Sequence, residues 1–465
     1  MERTAENKMG VMPVNKLLIT MSLPMIISMI IQALYNIVDS IYVSQINEAA
    51  LTAVSLSFPI QNLMIAFATG TCVGVNALLS RSLGEKNFTL VNKTFSSGIL
   101  LTLINISVFM CFGFLFTRHF FRAQTNITEI VDKGSDYLFI VTTLCFGIFG
   151  EILFERLLQS TGKTLFSMIT QATGAITNII LDPVLIFGRW GFKPMGVRGA
   201  ALATVTGQII AMVLAVLFHF LFNHEVKLDL KHAGIDGRVI GLIMKVGIPS
   251  IAMVSIGSIM NFAMNQILLS FVSTAAAVFG VYFKLQSFVF MPVFGLNNGL
   301  IPIIAYYYGA RSYERIKKAI LFAVIYAVSI MILGFLVFQF FPDWLLGLFD
   351  ASEDMLALGR PALRIISFSF LLAGFCIVVG SVFQSLGNGL YSLIVSVARQ
   401  LLILIPVAYL LSLTNQVRFV WLAFPIAEIV SFAVSAYLFK RIYSEKILPL
   451  KYFSRHDMTE DTKQA

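Results

Sequence analysis

Apolar stretches long enough to cross a bilayer recur along this chain, separated by short polar turns. Numbered one to twelve, they cover residues 14–44, 51–80, 91–117, 134–158, 164–187, 198–223, 240–271, 277–306, 316–343, 359–385, 390–414 and 419–442. About 20 helical residues suffice to span the hydrocarbon, so several of these stretches have length to spare for a tilt or a kink. Lipid offers the backbone no hydrogen bonds, and apolar runs of this length satisfy their own as helices. Pro24, Pro249, Pro292, Pro302, Pro406 and Pro425 fall inside stretches and are the expected kink points. The pattern predicts an all-α membrane protein with twelve transmembrane helices. Polar segments divide it into a tail (1–13), a first lobe (14–223), a linker (224–239), a second lobe (240–445) and a final tail (446–465).

The same pattern is written twice. At a fixed offset of 225 residues Pro24 matches Pro249, Asn36 matches Asn261, Phe58 matches Phe283 and Gln61 matches Gln286. Gly70, Gly74 and Gly84 match Gly295, Gly299 and Gly309, and Gln159, Ser160 and Gly162 match Gln384, Ser385 and Gly387. The offset becomes 220 after the connection between spans five and six, where the first half is longer. Each half has an even number of spans, so the second enters from the same side as the first. The two six-helix repeats are therefore parallel, an arrangement that lets two lobes work around a central cavity. Gly70/Gly74 and Gly295/Gly299 lie four apart on one helix face, a spacing that suits close helix packing.

Composition supports the membrane reading: 58% of the 465 residues are hydrophobic and only 12% charged. Lys and Arg set the orientation. With the N-terminus inside, the inner connections carry 22 of the 33 basic residues and the outer ones 9. Both termini are thus expected in the cytoplasm of a cell-membrane protein, and the net charge of +9 needs no nucleic acid to explain it. The first stretch is too long for a cleaved signal and is repeated in the second half, so it reads as a retained span. Cys72, Cys111, Cys145 and Cys376 have no paired spacing and read as small apolar residues. Gly162-Lys163-Thr164 ends like a phosphate-binding loop but lacks its first glycine and its strand, and the five histidines show no catalytic spacing. No enzyme follows.

A carboxylate inside hydrocarbon is expensive, so each one asks for a function. Asp39 in span one and Asp182 in span five are matched in the second half by Met264 and Val407. At 1.5 Å per residue both lie roughly 28–35 Å above the inner face. Asn36 shares a helix face with Asp39, as Asn178 does with Asp182; Tyr35 and Gln32 extend the first face, and Thr204 lies at similar depth. Such oxygens suit Na⁺, with Asp39, Asn178 and Asp182 as ligands, and the two acids equally suit a shared proton. The competing reading makes Asp182, before Pro183, a helix-end residue near the outer surface. In span four, Glu155 beside Arg156 reads as a surface ion pair, and Glu151 is one turn deeper. Lys284, Arg399 and Glu428 are the second lobe's intramembrane charges, with Glu428 expected to pair structurally with one of the two bases.

These residues bring a family into view. Pro24 through Asp39, Asn178-Ile-Ile-Leu-Asp182-Pro183, Gly196 through Thr204 and Gly295 through Arg311 resemble the multidrug and toxic compound extrusion (MATE) transporters over nearly the whole chain. The likeness is greatest to the bacterial DinF-like and MepA-like branch. It implies a coupling site for H⁺ or Na⁺ around Asp39 and Asp182, with Gln32, Tyr35, Tyr137, Asn178 and Thr204 at the matching positions and no other cofactor; the shared helix face adds Asn36 to the coupling residues. It also implies amphipathic, often cationic substrates in a central cavity, for which Gln32, Tyr35, Gln61, Tyr137, Glu151, Asn261 and Gln286 are this sequence's candidate lining. The acids that NorM-like members carry in spans seven and ten are missing, so no cation site is expected in the second lobe. A monomer in contact with membrane lipids and small molecules is the implied state. The rival is a flippase for lipid-linked saccharides, which Lys284 and Arg399 would suit and the two aspartates oppose.

Overall fold

The computed structural model describes residues 7–226, 236–349 and 351–452, and every regular element in them is helical. Ten continuous helices are long and apolar enough to cross a membrane. They are spans one (Val14–Ser44), two (Glu48–Gly84), three (Phe88–Arg122), five (Thr164–Phe187), six (Val197–Phe222), seven (Gly237–Leu269), eight (Ser273–Gly309), nine (Tyr313–Phe340), eleven (Gly389–Ser412) and twelve (Val417–Tyr452). Spans four (Thr128–Thr143 with Phe146–Ser160) and ten (Glu353–Ser367 with Phe370–Ser385) are bent pairs, by 42° and 49°, which completes twelve. Exposed Phe114, Leu217, Phe262 and Leu333 belong to the apolar surface that such a protein turns to lipid. The protein is a multi-pass membrane protein.

The two helix breaks bent by more than 40° fall at none of the expected prolines. Helices continue through Pro24, Pro249, Pro292 and Pro302. Spans four and ten break instead at matched positions of the repeat, around Leu144 and Phe368. Hydroxyls compete there with the backbone ladder: Thr142 and Thr143 donate to the carbonyls of Leu138 and Phe139 at 2.6 and 2.5 Å. Ser367 and Ser369 donate to the carbonyls of Arg364 and Ile366 at 3.0 and 2.7 Å. A side chain that back-bonds to a carbonyl loosens the turn it joins. Turn chemistry is copied as well. Gly162 and Gly387 have φ of 85° and 71°, left-handed values that a side chain resists, and each closes a span before the next begins.

The chain forms two compact units whose boundaries differ from the repeat. One contains residues 1–26, 84–86 and 252–465, the other 27–83 and 87–251. Spans one and seven each begin in one unit and end in the other. The matched glycine pairs explain this. A Cβ on Gly295 would lie 2.6 Å from the Ile26 Cα, and one on Gly299 would lie 2.9 Å from the Ser22 Cα. In the other unit a Cβ on Gly70 would lie 2.8 Å from the Ile251 nitrogen, and Gly74 packs against Ile243 in the same way. The start of span one thus lies against span eight, and the start of span seven against span two.

The described parts of both expected tails carry helical turns. Asn7 caps a short helix, Lys8–Val11, in which Met9 is fully buried, and Arg315 donates to the carbonyls of Met9 and of Met12, the residue that ends the helix. Span twelve continues past residue 446 through a π-helical turn, Tyr443–Ile447. Of the linker, residues 227–235 lie outside the described segments, and Asp236 pairs with Lys93 at 3.0 Å. Three cysteines are buried, Cys111 is exposed, and all four are free thiols.

Candidate functional site

A cavity of about 420 Å³ lies wholly within the unit formed by residues 27–83 and 87–251. Span one contributes Gln32, Tyr35, Asn36 and Asp39, span two Gln61, span four Tyr137 and Glu151, span five Asn178 and span six Thr204. Nine candidates, scattered through five spans, therefore converge on one space. Helical periodicity does this locally: Gln32, Tyr35, Asn36 and Asp39 fall on one face of span one because three and four residues each make about one turn. Asn261 and Gln286, their counterparts in the second half, belong to the other unit and do not line this cavity.

Asp182 stands at the edge of this space and is fully buried. Span five continues past Pro183 to Phe187, so Asp182 is an interior residue and not a helix end. It interacts with Asp39, yet neither of its carboxylate oxygens has a hydrogen-bond partner. One Asp39 oxygen and the Asn178 amide oxygen are likewise buried and unpartnered. Asn178 is oriented by its amide, which donates to the Thr204 hydroxyl at 3.2 Å. Tyr137 lies close to Gln61 and Thr204 and within electrostatic reach of both aspartates. Oxygen acceptors facing one another without donors call for a positive charge between them, either a proton or a small hard cation.

The other end of the cavity holds residues that the sequence reading misjudged. Glu155 and Arg156 are only 3% and 8% exposed, and both line the cavity. Burial this deep contradicts the expectation of an ion pair at the surface. Glu155 Oε1 instead accepts the Thr170 hydroxyl at 2.9 Å and Oε2 the Gln171 amide at 2.8 Å, tying span four to span five. Arg156 donates to the Gln159 side chain at 2.9 Å. Glu151 and Glu155, i and i+4 on one helix face, both enter the cavity. Gln171 and Asp182 are eleven residues apart on span five, so the acidic ends are separated by about 16 Å along the helix. The missed signal lay in the repeat: Glu151 and Glu155 are matched by Cys376 and Gly380, the same kind of asymmetry that marks Asp39 and Asp182.

In the second half, Glu428 pairs with Arg399 at 3.4 Å, as expected of one of the two bases. Lys284 lies over the Phe349 ring, 5.8 Å from its centre.

Known proteins resemble this chain along nearly its whole length. The MatE family model matches the chain twice, over residues 24–184 and 249–410, with starts one repeat apart. An FAD transporter of Shewanella oneidensis is 26% identical over 437 residues, covering 92% of this chain and 95% of that protein. The multidrug export protein MepA of Staphylococcus haemolyticus is 28% identical over 418 residues, covering 87% and 89%. Among solved structures, the outward-facing conformation of a multidrug resistance MATE family transporter superposes with a TM-score of 0.90 at 25% identity, covering 97% of this chain and all of that one. Twelve spans in a duplicated helical fold, matched by the family model in both halves, establish that this chain belongs to the MatE family and is a membrane transporter, not an enzyme.

Proposed function

We propose that this transporter exports amphipathic, cationic organic compounds in exchange for H⁺ or Na⁺, with Asp39 and Asp182 as the coupling site. The observation that carries the reading is the facing pair itself. Asp182 is fully buried beside Asp39, with both oxygens unpartnered, at the edge of a cavity lined by amides, phenols and carboxylates. A proton shared by the pair, or Na⁺ held by Asp39, Asn178 and Asp182, removes the repulsion between the two acids. Relief of that repulsion favours one packing of spans one and five over another, and coupling needs only such a difference between two states. A cationic substrate competes for the same negative field. Alternating access then takes the ion inward and the substrate outward, with both termini in the cytoplasm and the monomer as the working unit. The acidic lining disfavours the phosphate-bearing saccharide lipids that a flippase would carry.

The test uses vesicles containing the purified chain, a fluorescent organic cation inside, and proton or sodium gradients imposed separately. One gradient is expected to drive efflux, and Asp39→Asn is expected to abolish that drive while substrate still binds. Full gradient-driven efflux by the Asp39→Asn protein would sink the proposal.

A further inference from the structure

Arg399 stands near the middle of span eleven, in the π-helical segment Ala398–Leu404. Such segments recur where a helix serves a function. Its Nη1 donates to Glu428 Oε2 at 3.4 Å, and among the described residues this is the guanidinium's one hydrogen bond. A guanidinium offers five N–H donors in a rigid fork, so most of this one is unused. Its side chain keeps 31% of its exposure, whereas Glu428 keeps 6%. Glu428 Oε1 is buried and has no partner. A single long contact is weaker than the bidentate match that arginine and carboxylate can form. The pair neutralises a charge at membrane depth without satisfying either member.

The duplication gives these positions a meaning. Arg399 corresponds to Gly174 at the offset of 225, and Glu428 to Gln208 at the offset of 220. Cys376, within electrostatic reach of Glu428, corresponds to Glu151. All three first-half counterparts line the acidic cavity described above. At equivalent places the second half has thus replaced an acid by a thiol and introduced a base together with the acid that pairs with it.

We propose that Arg399 is an anion-binding subsite of the second half, held by Glu428 when empty, for the phosphate or carboxylate of an amphipathic molecule. The fork matches two oxygens of either group, and an incoming anion takes over the charge that Glu428 balances only loosely. The subsite is independent of the aspartate pair and stands whether or not that pair couples transport. The anion's source is either a soluble amphiphile or an anionic lipid headgroup, since both present the same oxygens.

The full chain in phosphatidylcholine nanodiscs can be titrated with riboflavin and with riboflavin 5′-phosphate, which differ by the phosphate alone. Flavin fluorescence reports binding, and a second arm adds phosphatidylglycerol to the discs as competitor. We expect the phosphate to tighten binding by at least about tenfold, the worth of one charge-assisted hydrogen bond. Because R399Q strands Glu428, the charge-free R399Q/E428Q variant is the partner test, with thermal unfolding reporting that it is folded. It should bind both flavins alike, and E428Q alone should widen the preference by freeing the fork. A phosphatidylglycerol effect that needs Arg399 supports the subsite and identifies a headgroup as its occupant; a flavin phosphate effect that needs Arg399 identifies a solute. The absence of an Arg399-dependent effect in both arms overturns the proposal, as does a phosphate preference that survives in R399Q/E428Q.

Discussion

The carboxylate of Glu155 shows what a buried charge requires of its neighbours. Its two oxygens are met by Thr170 and Gln171, one partner each, from a different span. Thr170→Val keeps the shape of the side chain and removes one donor, leaving a buried acceptor unsatisfied at a cost of about 1–3 kcal/mol. The purified protein should therefore unfold at lower temperature in a thermal-shift assay; unchanged stability would mean that the hydroxyl does not reach the acid. Asp182 is the contrasting case, buried as deeply but with neither oxygen satisfied. Fold stability gains nothing from such a group, so a function that needs its charge to change is the natural account. The sequence exposed Asp39 and Asp182 because their repeat partners are apolar. It did not expose Glu155, because the adjacent Arg156 offered a nearby explanation, and adjacent helix residues do not face each other.

At the scale of elements, the glycine pairs decide where helices meet. Between spans in lipid there is little hydrophobic gain to collect, and close backbone packing takes its place. Gly295 in span eight leaves no space: an added Cβ would lie 2.6 Å from the Ile26 Cα and 2.7 Å from its nitrogen. Gly295→Ala is expected to destabilise the protein by about 1–3 kcal/mol through overpacking. Gly280, on the same helix, has nothing within 4 Å of an added Cβ. Gly280→Ala should be neutral or stabilising by about 0.5–1 kcal/mol, because alanine favours the helix. The paired unfolding temperatures check both directions, and equal effects of the two substitutions would refute the packing account. The bends of spans four and ten belong to the same scale. Their hydroxyls are plain in the sequence, but a serine or threonine bends one helix and leaves another straight, so composition named the prolines instead.

For the whole molecule, the basic residues predict a topology that labelling can test. In a variant whose own four cysteines are replaced, a cysteine at Trp190, between spans five and six, should react with an impermeant maleimide on intact cells. One at Glu314, at the start of span nine, should react only after permeabilisation. Both native side chains are exposed. The reverse pattern would invert the assignment of both termini. Such a result would leave the duplicated fold intact, since the repeat is parallel whichever side it starts from.

By itself the sequence determined that this chain is a twelve-span helical membrane protein written twice, and that the acids deep in its spans gather in the first half. Those properties are periodic or comparative, so they survive in one dimension: span length follows from bilayer thickness, and a mismatch shows once the two halves are aligned. Only the tertiary structure decided which unit each part of spans one and seven joins, where the helices bend, and that Glu155 faces the cavity. It also decided that Asn261 and Gln286 do not line that cavity although their counterparts do. Duplication copies the backbone pattern. What a side chain meets depends on residues from other helices, and those were free to diverge.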